Sequence, residues 1–190
     1  MAARQLGDGP AGPRRVRVIG DSGAGKTTFA AQAADRLGLP HVELDEVFWS
    51  SGWRNRPVPE ALRLLSDLLD GPGADGWVVD GNWRQANDLL DGADVIVWLD
   101  FSRAVVMRRV IWRTVSRGIT RRPLWHGNRE RLSNIFRRDP DRNIIVWAWQ
   151  SHAKYRRRYG DWAAADPRVL RLATPSQARR WLRALATLGG

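Results

Sequence analysis

The run Gly20-Asp21-Ser22-Gly23-Ala24-Gly25-Lys26-Thr27 fits the spacing G-x-x-x-x-G-K-[ST] at every specified position. Glycines at this spacing let successive backbone amides turn toward one anion, and the positive end of a following helix strengthens the field there. Lys26 would set an ammonium at the terminal phosphates of a nucleoside triphosphate, Thr27 would offer a hydroxyl to magnesium, and Thr28 follows in the same turn. The expected ligands are therefore ATP, or another nucleoside triphosphate, and Mg. An accidental glycine-rich turn is the alternative, and the flanking strand and helix patterns count against it.

A magnesium-phosphate site also needs a carboxylate at a neighbouring strand tip. Asp45, Asp80 and Asp100 each close an apolar run. Asp80 is the expected metal ligand beside Thr27, because Trp77-Val78-Val79-Asp80 stops at Gly81, leaving room for a ligand. Asp45 could accept a hydrogen bond from a substrate hydroxyl or act as the base that activates it. Its other reading is an ordinary strand-end or helix-capping aspartate. Asp100-Phe101-Ser102-Arg103 has the look of a helix start, which makes Asp100 a cap.

Arg109 and Arg113 lie four apart in a helical pattern and so share a face, with Arg108, Arg117, Arg121 and Arg122 nearby. Such a cluster repels itself unless it is solvated or closes over a transferring phosphoryl group. Trp49, Trp53 and Trp83 flank Asp45 and the Asp80-Gly81-Asn82 turn, where an aromatic wall could stack on a base, cover an apolar acceptor, or simply pack the loop.

These groups need elements to hold them. Val16 to Ile19 reads as a strand, Thr27 to Leu37 as a helix stopped at Gly38 and Pro40, and His41 to Leu44 as a second strand followed by an irregular aromatic stretch. A helix is expected over Pro57 to Leu69. The third and fourth strands, Trp77 to Val79 and Asp94 to Leu99, are apolar enough to be covered on both faces. Arg103 to Arg117 is helical and basic, Gly118 to Arg129 is a polar break, and Arg131 to Tyr159 is one long helix or two shorter ones. Val169 to Leu172 supplies a fifth strand and Pro175 to Leu188 a closing helix. The alternation predicts an α/β fold with a parallel sheet and helices on both faces.

Composition bounds the rest. The 190 residues suit a single domain over 15–190, behind a Gly- and Pro-rich mobile tail over 1–14. The absence of cysteine excludes disulfides and thiolate metal sites, and the three histidines show no ligand spacing. No apolar run approaches a membrane span, so a cytoplasmic protein with no membrane partner is expected, as a monomer or weak dimer. The net charge of +11 is almost all arginine, Lys26 and Lys154 being the two lysines, and one of them stands where the phosphate loop needs its ammonium.

Taken together, the phosphate loop, Leu44-Asp45 with its tryptophan-rich sequel, Asp80-Gly81-Asn82-Trp83-Arg84 and the arginine-rich helix resemble the adenylate-kinase-like P-loop proteins often labelled topology modulation proteins. The resemblance covers about residues 15 to 188. It implies a P-loop NTPase fold of the nucleoside-monophosphate-kinase type. Such a fold has a five-stranded parallel sheet, an acceptor segment (about 45–70) after the second strand and an arginine-rich lid (about 114–142) after the fourth. Asp80-Gly81-Asn82-Trp83-Arg84 is similar to the Asp-Gly-Phe-Pro-Arg run of adenylate kinases. That similarity implies that Gly81, Asn82 and Arg84 border the acceptor and that Arg84 holds its phosphate. Arg109 and Arg113 would fall at the lid base, and the loop at Thr174 and Pro175 would touch the donor base. Asn82-Trp83 departs from Phe-Pro, and Trp49, Gly52 and Trp53 stand where a monophosphate site would be.

The expected activity is ATP- and Mg-dependent phosphoryl transfer to a small molecule, a nucleoside monophosphate or a hydroxylated metabolite. The alternative is a nucleotide-dependent regulator or nucleic-acid-associated ATPase whose positive charge meets phosphate backbone. No helix-turn-helix or zinc finger is present in the pattern to support it.

Overall fold

A computed structural model of the protein describes residues 12–120, 126 and 144–186. The elements are β1 (Arg15–Gly20), α1 (Lys26–Leu37), β2 (His41–Glu43), α2 (Leu44–Phe48), β3 (Trp49–Ser50), β4 (Arg54–Asn55), α3 (Val58–Asp70), β5 (Trp77–Asp80), β6 (Val95–Leu99), α4 (Arg103–Thr120), α5 (Ile144–Ala165), β7 (Val169–Leu172) and α6 (Pro175–Ala186).

Five strands form one sheet in the order β2-β5-β1-β6-β7, and every pairing in it is parallel. Alternation along the strands divides the core in two. Val16, Val18 and Val97 pack with Phe29 of α1, Val106 and Val110 of α4, and Leu182 and Leu185 of α6. Ile19, Val79 and Ile96 point the other way, toward Leu44 and Phe48 of α2, Leu65 of α3 and Tyr159 of α5. Covered on both faces, β5 and β6 are buried throughout. β1 sits centrally, with later strands added on either side, so the loop after it occupies the switch point where open parallel sheets take ligands.

The expected α/β sheet is present, with some boundaries displaced. The second strand ends at Glu43, and Leu44 opens a short helix. Leu44, Val47 and Phe48 are its buried residues, an i, i+3, i+4 set that a helix can turn onto one face and a strand cannot. Asp45 therefore lies in a first helical turn and not at a strand tip. The stretch expected to be irregular forms a hairpin, Trp49 opposite Asn55 and Ser50 opposite Arg54. Arg14 is already anchored, its amide donating to Asp94 Oδ2 at 2.8 Å. α5 continues beyond Tyr159 to Ala165. Most of the expected lid, including Arg121 and Arg122, lies outside the described residues. Among the described residues, no helix is long and apolar enough to cross a membrane.

Candidate phosphate-binding site

The loop between β1 and α1 is held from three sides. Ala24 N donates to Asp21 O at 3.1 Å, closing the turn. From the segment after β5, Asn82 Nδ2 donates to Gly20 O at 2.7 Å and Asn82 Oδ1 accepts from Gly20 N at 3.4 Å. From α5, Ser151 Oγ donates to Asp21 Oδ1 at 3.3 Å, an oxygen that also accepts from Ser22 N at 2.7 Å. Gly23, at φ 83, lies directly under α4, where a Cβ would run into the Val110 side chain and stand 3.1 Å from Val106 O. Only glycine meets both conditions. Gly25, the N-cap of α1, brings no side-chain cap, which leaves the first-turn amides of the helix available to an anion.

Lys26 is half-buried at the loop mouth, its Nζ donating to Asp21 O at 3.2 Å. Burial lowers its pKa and nearby Arg113 lowers it further, while the carboxylates of Asp45, Asp80 and Asp21 oppose the fall. The ammonium thus sits among three carboxylates, where an incoming polyphosphate would add to its stabilisation. Thr27 Oγ1 donates to Asp80 Oδ2 at 2.8 Å. Asp80 is 3% exposed, and its other oxygen lies 3.5 Å from His41 Nε2.

A hydroxyl and a carboxylate in contact beside a phosphate cradle form a donor set of hard oxygens. Mg, which commonly binds through one or two carboxylates with substrate phosphates and water completing its shell, fits such a set. Among the described residues no cluster of three or more His, Cys, Asp or Glu could hold a metal, so phosphate and water would have to supply most of the coordination.

Arg109 and Arg113 both reach the loop from one face of α4. Arg109 Nη1 donates to Ala24 O at 2.7 Å and its guanidinium lies 5.1 Å from the Phe101 ring centre. Burial lowers its pKa, with Arg108 and Arg179 adding to the effect. Arg113 Nη2 donates to Ser22 Oγ at 3.3 Å and faces Lys26. Arg109 is thus engaged by loop backbone, and Arg113 is the arginine turned toward Ser22 and Lys26.

Beside Lys26, Asp45 Oδ1 accepts a 2.8 Å hydrogen bond from Trp83 Nε1. Trp83 stacks on Phe48 at 4.5 Å between centroids, and Trp49 meets both Trp83 and Trp53 edge-on at 5.7 and 5.9 Å. The three tryptophans and Asp45 therefore form one aromatic wall with a carboxylate set in it. His126, in the expected lid, approaches the same segment, its Nε2 lying 3.0 Å from Glu46 O.

Several expected roles change. Beside Gly81 stands Leu44, whose Cβ would lie 2.7 Å from a Cβ at Gly81, so this glycine, at φ 134, permits close packing. The amide of Asn82, expected at the acceptor, is spent on Gly20. Asp100 is not a helix cap: it is buried and paired with Arg171 Nε at 2.8 Å and Arg156 Nε at 3.5 Å. Arg84 is exposed in a short 3-10 turn. Pro175 opens α6, where Gln177 Oε1 accepts from Ala173 N at 2.7 Å and Thr174 Oγ1 accepts from Gln177 N at 3.2 Å, a reciprocal cap.

No known family model matches the chain. A stretch of 67 residues is 39% identical to a cytidylate kinase of Nitratidesulfovibrio vulgaris, covering 34% of this chain and 29% of that protein. A longer stretch of 114 residues is 32% identical to a shikimate kinase of Rhodopseudomonas palustris, covering 52% of this chain and 55% of that one. This chain thus matches about half or less of the length of those relatives. Among solved structures, shikimate kinase from Bacteroides thetaiotaomicron superposes with a TM-score of 0.53 at 15% identity, over 93% of this chain and 98% of that one. The fold is that of the P-loop kinases. Within it, the β1 to α1 loop, the tip of β5 and α4 meet at one end of the sheet.

Sequence reading set Asp21 in the loop without foreseeing its burial, and it missed two further contributors, Ser151 and His41. Asp21, 6% exposed, is a buried carboxylate whose pKa burial raises, against the opposing effects of the Ser22 amide, His152, Lys26 and Ser151. Its burial carried no signal, because it stands at a variable position of the motif. Ser151 and His41 were equally silent, because their roles depend on where α5 and β2 arrive.

Proposed function

We propose that the chain transfers the terminal phosphoryl group of a nucleoside triphosphate, ATP in the first instance, to a hydroxyl of a small molecule held beside Asp45. The observation that carries this reading is the convergence of Lys26, the Thr27–Asp80 pair and Arg113 on one loop mouth, with Asp45 alongside. The names of the partial relatives, cytidylate kinase and shikimate kinase, point to the same reaction class.

In this reading the loop amides and Lys26 bind the phosphates and hold the terminal one in line with the acceptor. Thr27 and Asp80 would hold magnesium, which supplies charge neutralisation on the phosphate oxygens. Arg113 stabilises charge on the equatorial oxygens in the transition state, while Arg109 keeps the loop in shape through Ala24 O. Asp45 takes the acceptor proton as its oxygen bonds to the phosphorus and the bond to the leaving nucleoside diphosphate breaks. The hydrogen bond from Trp83 fixes the orientation of that carboxylate.

A hydroxylated metabolite is favoured over a nucleoside monophosphate by the state of the two arginines next to the tryptophan wall, Arg54 and Arg56. Arg56 donates to Glu60 at 2.7 Å and to Val47 O at 2.8 Å, and Arg54 to Ser51 O at 3.4 Å, so both are engaged within the segment. The test is an ADP-release assay with ATP and Mg against panels of hydroxylated metabolites and nucleoside monophosphates. Stimulation by a hydroxylated compound, lost in Asp45→Asn, is expected. Stimulation by a monophosphate instead would move the acceptor to Arg84, and no stimulation by any acceptor would remove the kinase reading.

A further inference from the structure

β2 runs beside β5, with His41 level with Val78 and Glu43 level with Asp80. Side chains at level positions of neighbouring strands point to one face of the sheet, and so do residues two apart on a strand. His41, Val78 and Asp80 therefore share a face. It is the face that carries α1, since Val78 belongs to one cluster with Phe29 and Ala30 and Asp80 accepts from Thr27. From this edge strand His41 reaches to the tip of its neighbour, where Nε2 lies 3.5 Å from Asp80 Oδ1.

The Nε2 atom is buried and has no hydrogen-bond partner among the described residues. At 3.5 Å the contact to Asp80 is longer than a formed hydrogen bond. The chemistry of the pair still decides how it is used. With hydrogen on Nε2 the ring and the carboxylate attract, whereas a lone pair there would set two acceptors against each other. The tautomer with hydrogen on Nε2 is therefore favoured, and Asp80 Oδ1 is the acceptor in front of it.

Asp80 has use for such a donor. Its Oδ2 accepts from Thr27 Oγ1 at 2.8 Å, and that one bond leaves the carboxylate able to turn about Cβ–Cγ, a torsion with broad wells. The side chain is 4% exposed, so its donors come chiefly from the protein. A second donor, on Oδ1, fixes the plane of the group, and the same soft torsion lets the pair close to hydrogen-bond range. Hydrogen bonds that hold a ligating carboxylate in this way are commonly worth about 10- to 100-fold in metal affinity.

We propose that His41 is a positioning residue for magnesium. It donates from Nε2 to Asp80 Oδ1 and so keeps Oδ2 turned toward Thr27 and the cation. His41 is not a ligand itself, because Mg takes oxygen donors and the Nε2 atom is turned to Asp80. The proposal rests on the phosphoryl-transfer reading for the role of Asp80, and it goes beyond that reading in giving β2 a part in metal affinity.

Calorimetry of the full chain with the β,γ-imido analogue of ATP tests this without turnover. Affinity is measured in excess Mg and again in EDTA, and the ratio is the gain due to the metal. The wild type should bind more tightly with Mg. His41→Leu should lose about tenfold of that gain with its affinity in EDTA unchanged. His41→Gln returns an N–H at similar reach and should recover most of the loss. In an Asp80→Asn background His41→Leu should cost little more, because the carboxylate it positions is gone. A residue that only supports the fold would lower affinity in EDTA as well, and its effect would not depend on Asp80. Thermal unfolding checks each variant, and His41→Phe, a flat ring with no donor, replaces His41→Leu should that variant not fold. The proposal is overturned if Mg gives the wild type no gain, or if a folded His41→Leu or His41→Phe keeps the wild-type gain. It is equally overturned if His41→Gln loses as much as they do, or if the loss is the same with and without the Asp80 carboxylate. An analogue that binds in neither condition would remove the phosphoryl-transfer reading as well, whereas one that binds wild type and His41 variants alike removes this proposal alone.

Discussion

Thr27 Oγ1 and Asp80 Oδ2 are joined by a 2.8 Å hydrogen bond that links the first turn of α1 to the tip of β5. A hydroxyl and a carboxylate so placed can turn to one cation without moving their backbones. Asp80→Asn keeps the shape and removes the charge. It should raise the magnesium concentration needed for half-maximal activity by about 10- to 100-fold. A magnesium titration of ADP release measures this, and an unchanged midpoint would take Asp80 out of the metal site.

Lys26→Ala separates binding chemistry from folding. Removing a preorganised cation that meets developing phosphate charge should lower kcat by about 100-fold or more. Burial already disfavours the Lys26 charge, so the melting temperature should hold steady or rise. Parallel kinetics and thermal unfolding decide it, and a large loss of stability would recast Lys26 as a structural residue.

The two arginines of α4 should divide their labour. Arg109→Ala removes a charged donor from Ala24 O and should cost about 1.5 to 3 kcal/mol of stability. Arg113→Ala should lower kcat while altering stability by no more than about 0.5 kcal/mol. If the kinetic and stability losses fall the other way round, Arg109 is the arginine that meets the phosphates.

The strand, glycine loop and helix over residues 15–37 were readable because their signal lies in consecutive residues whose types follow from backbone geometry. β5 and β6 were readable because strands buried on both faces leave apolar runs. α2 was not: Leu44 extends an apolar run, and only the distribution of Val47 and Phe48 over the core decides that the chain turns there. Gly81 and Asn82 were expected to border an acceptor, whereas in the structure Gly81 packs on Leu44 and Asn82 holds Gly20. Those roles depend on Leu44 and Gly20, which are distant in sequence. Arg109 and Arg113 were paired by helical spacing, but which of them is held by Ala24 O follows from how α4 crosses Gly23.

Asp21 predicts a pH dependence of stability. Its carboxyl is raised above the ordinary carboxylate value, chiefly by burial, and Oδ2 has no hydrogen-bond partner among the described residues. The folded state therefore holds this proton more tightly than the unfolded state. The stabilisation is complete below the unfolded pKa and is lost as pH rises through the folded one. Asp21→Asn should be more stable than wild type at neutral pH, and the difference should close as pH falls into the carboxylate range. Urea denaturation across that range checks it, and a difference independent of pH would contradict it.

The central claim is tested most directly by following the γ-phosphoryl group itself. ATP labelled at that position is incubated with Mg, the wild-type chain and each candidate acceptor, and the products are separated. The account predicts label in an organic phosphate ester of one acceptor, dependent on Lys26 and Asp45, with little released as inorganic phosphate. Label appearing as inorganic phosphate whatever the acceptor would contradict phosphoryl transfer and leave a nucleotide hydrolase in its place.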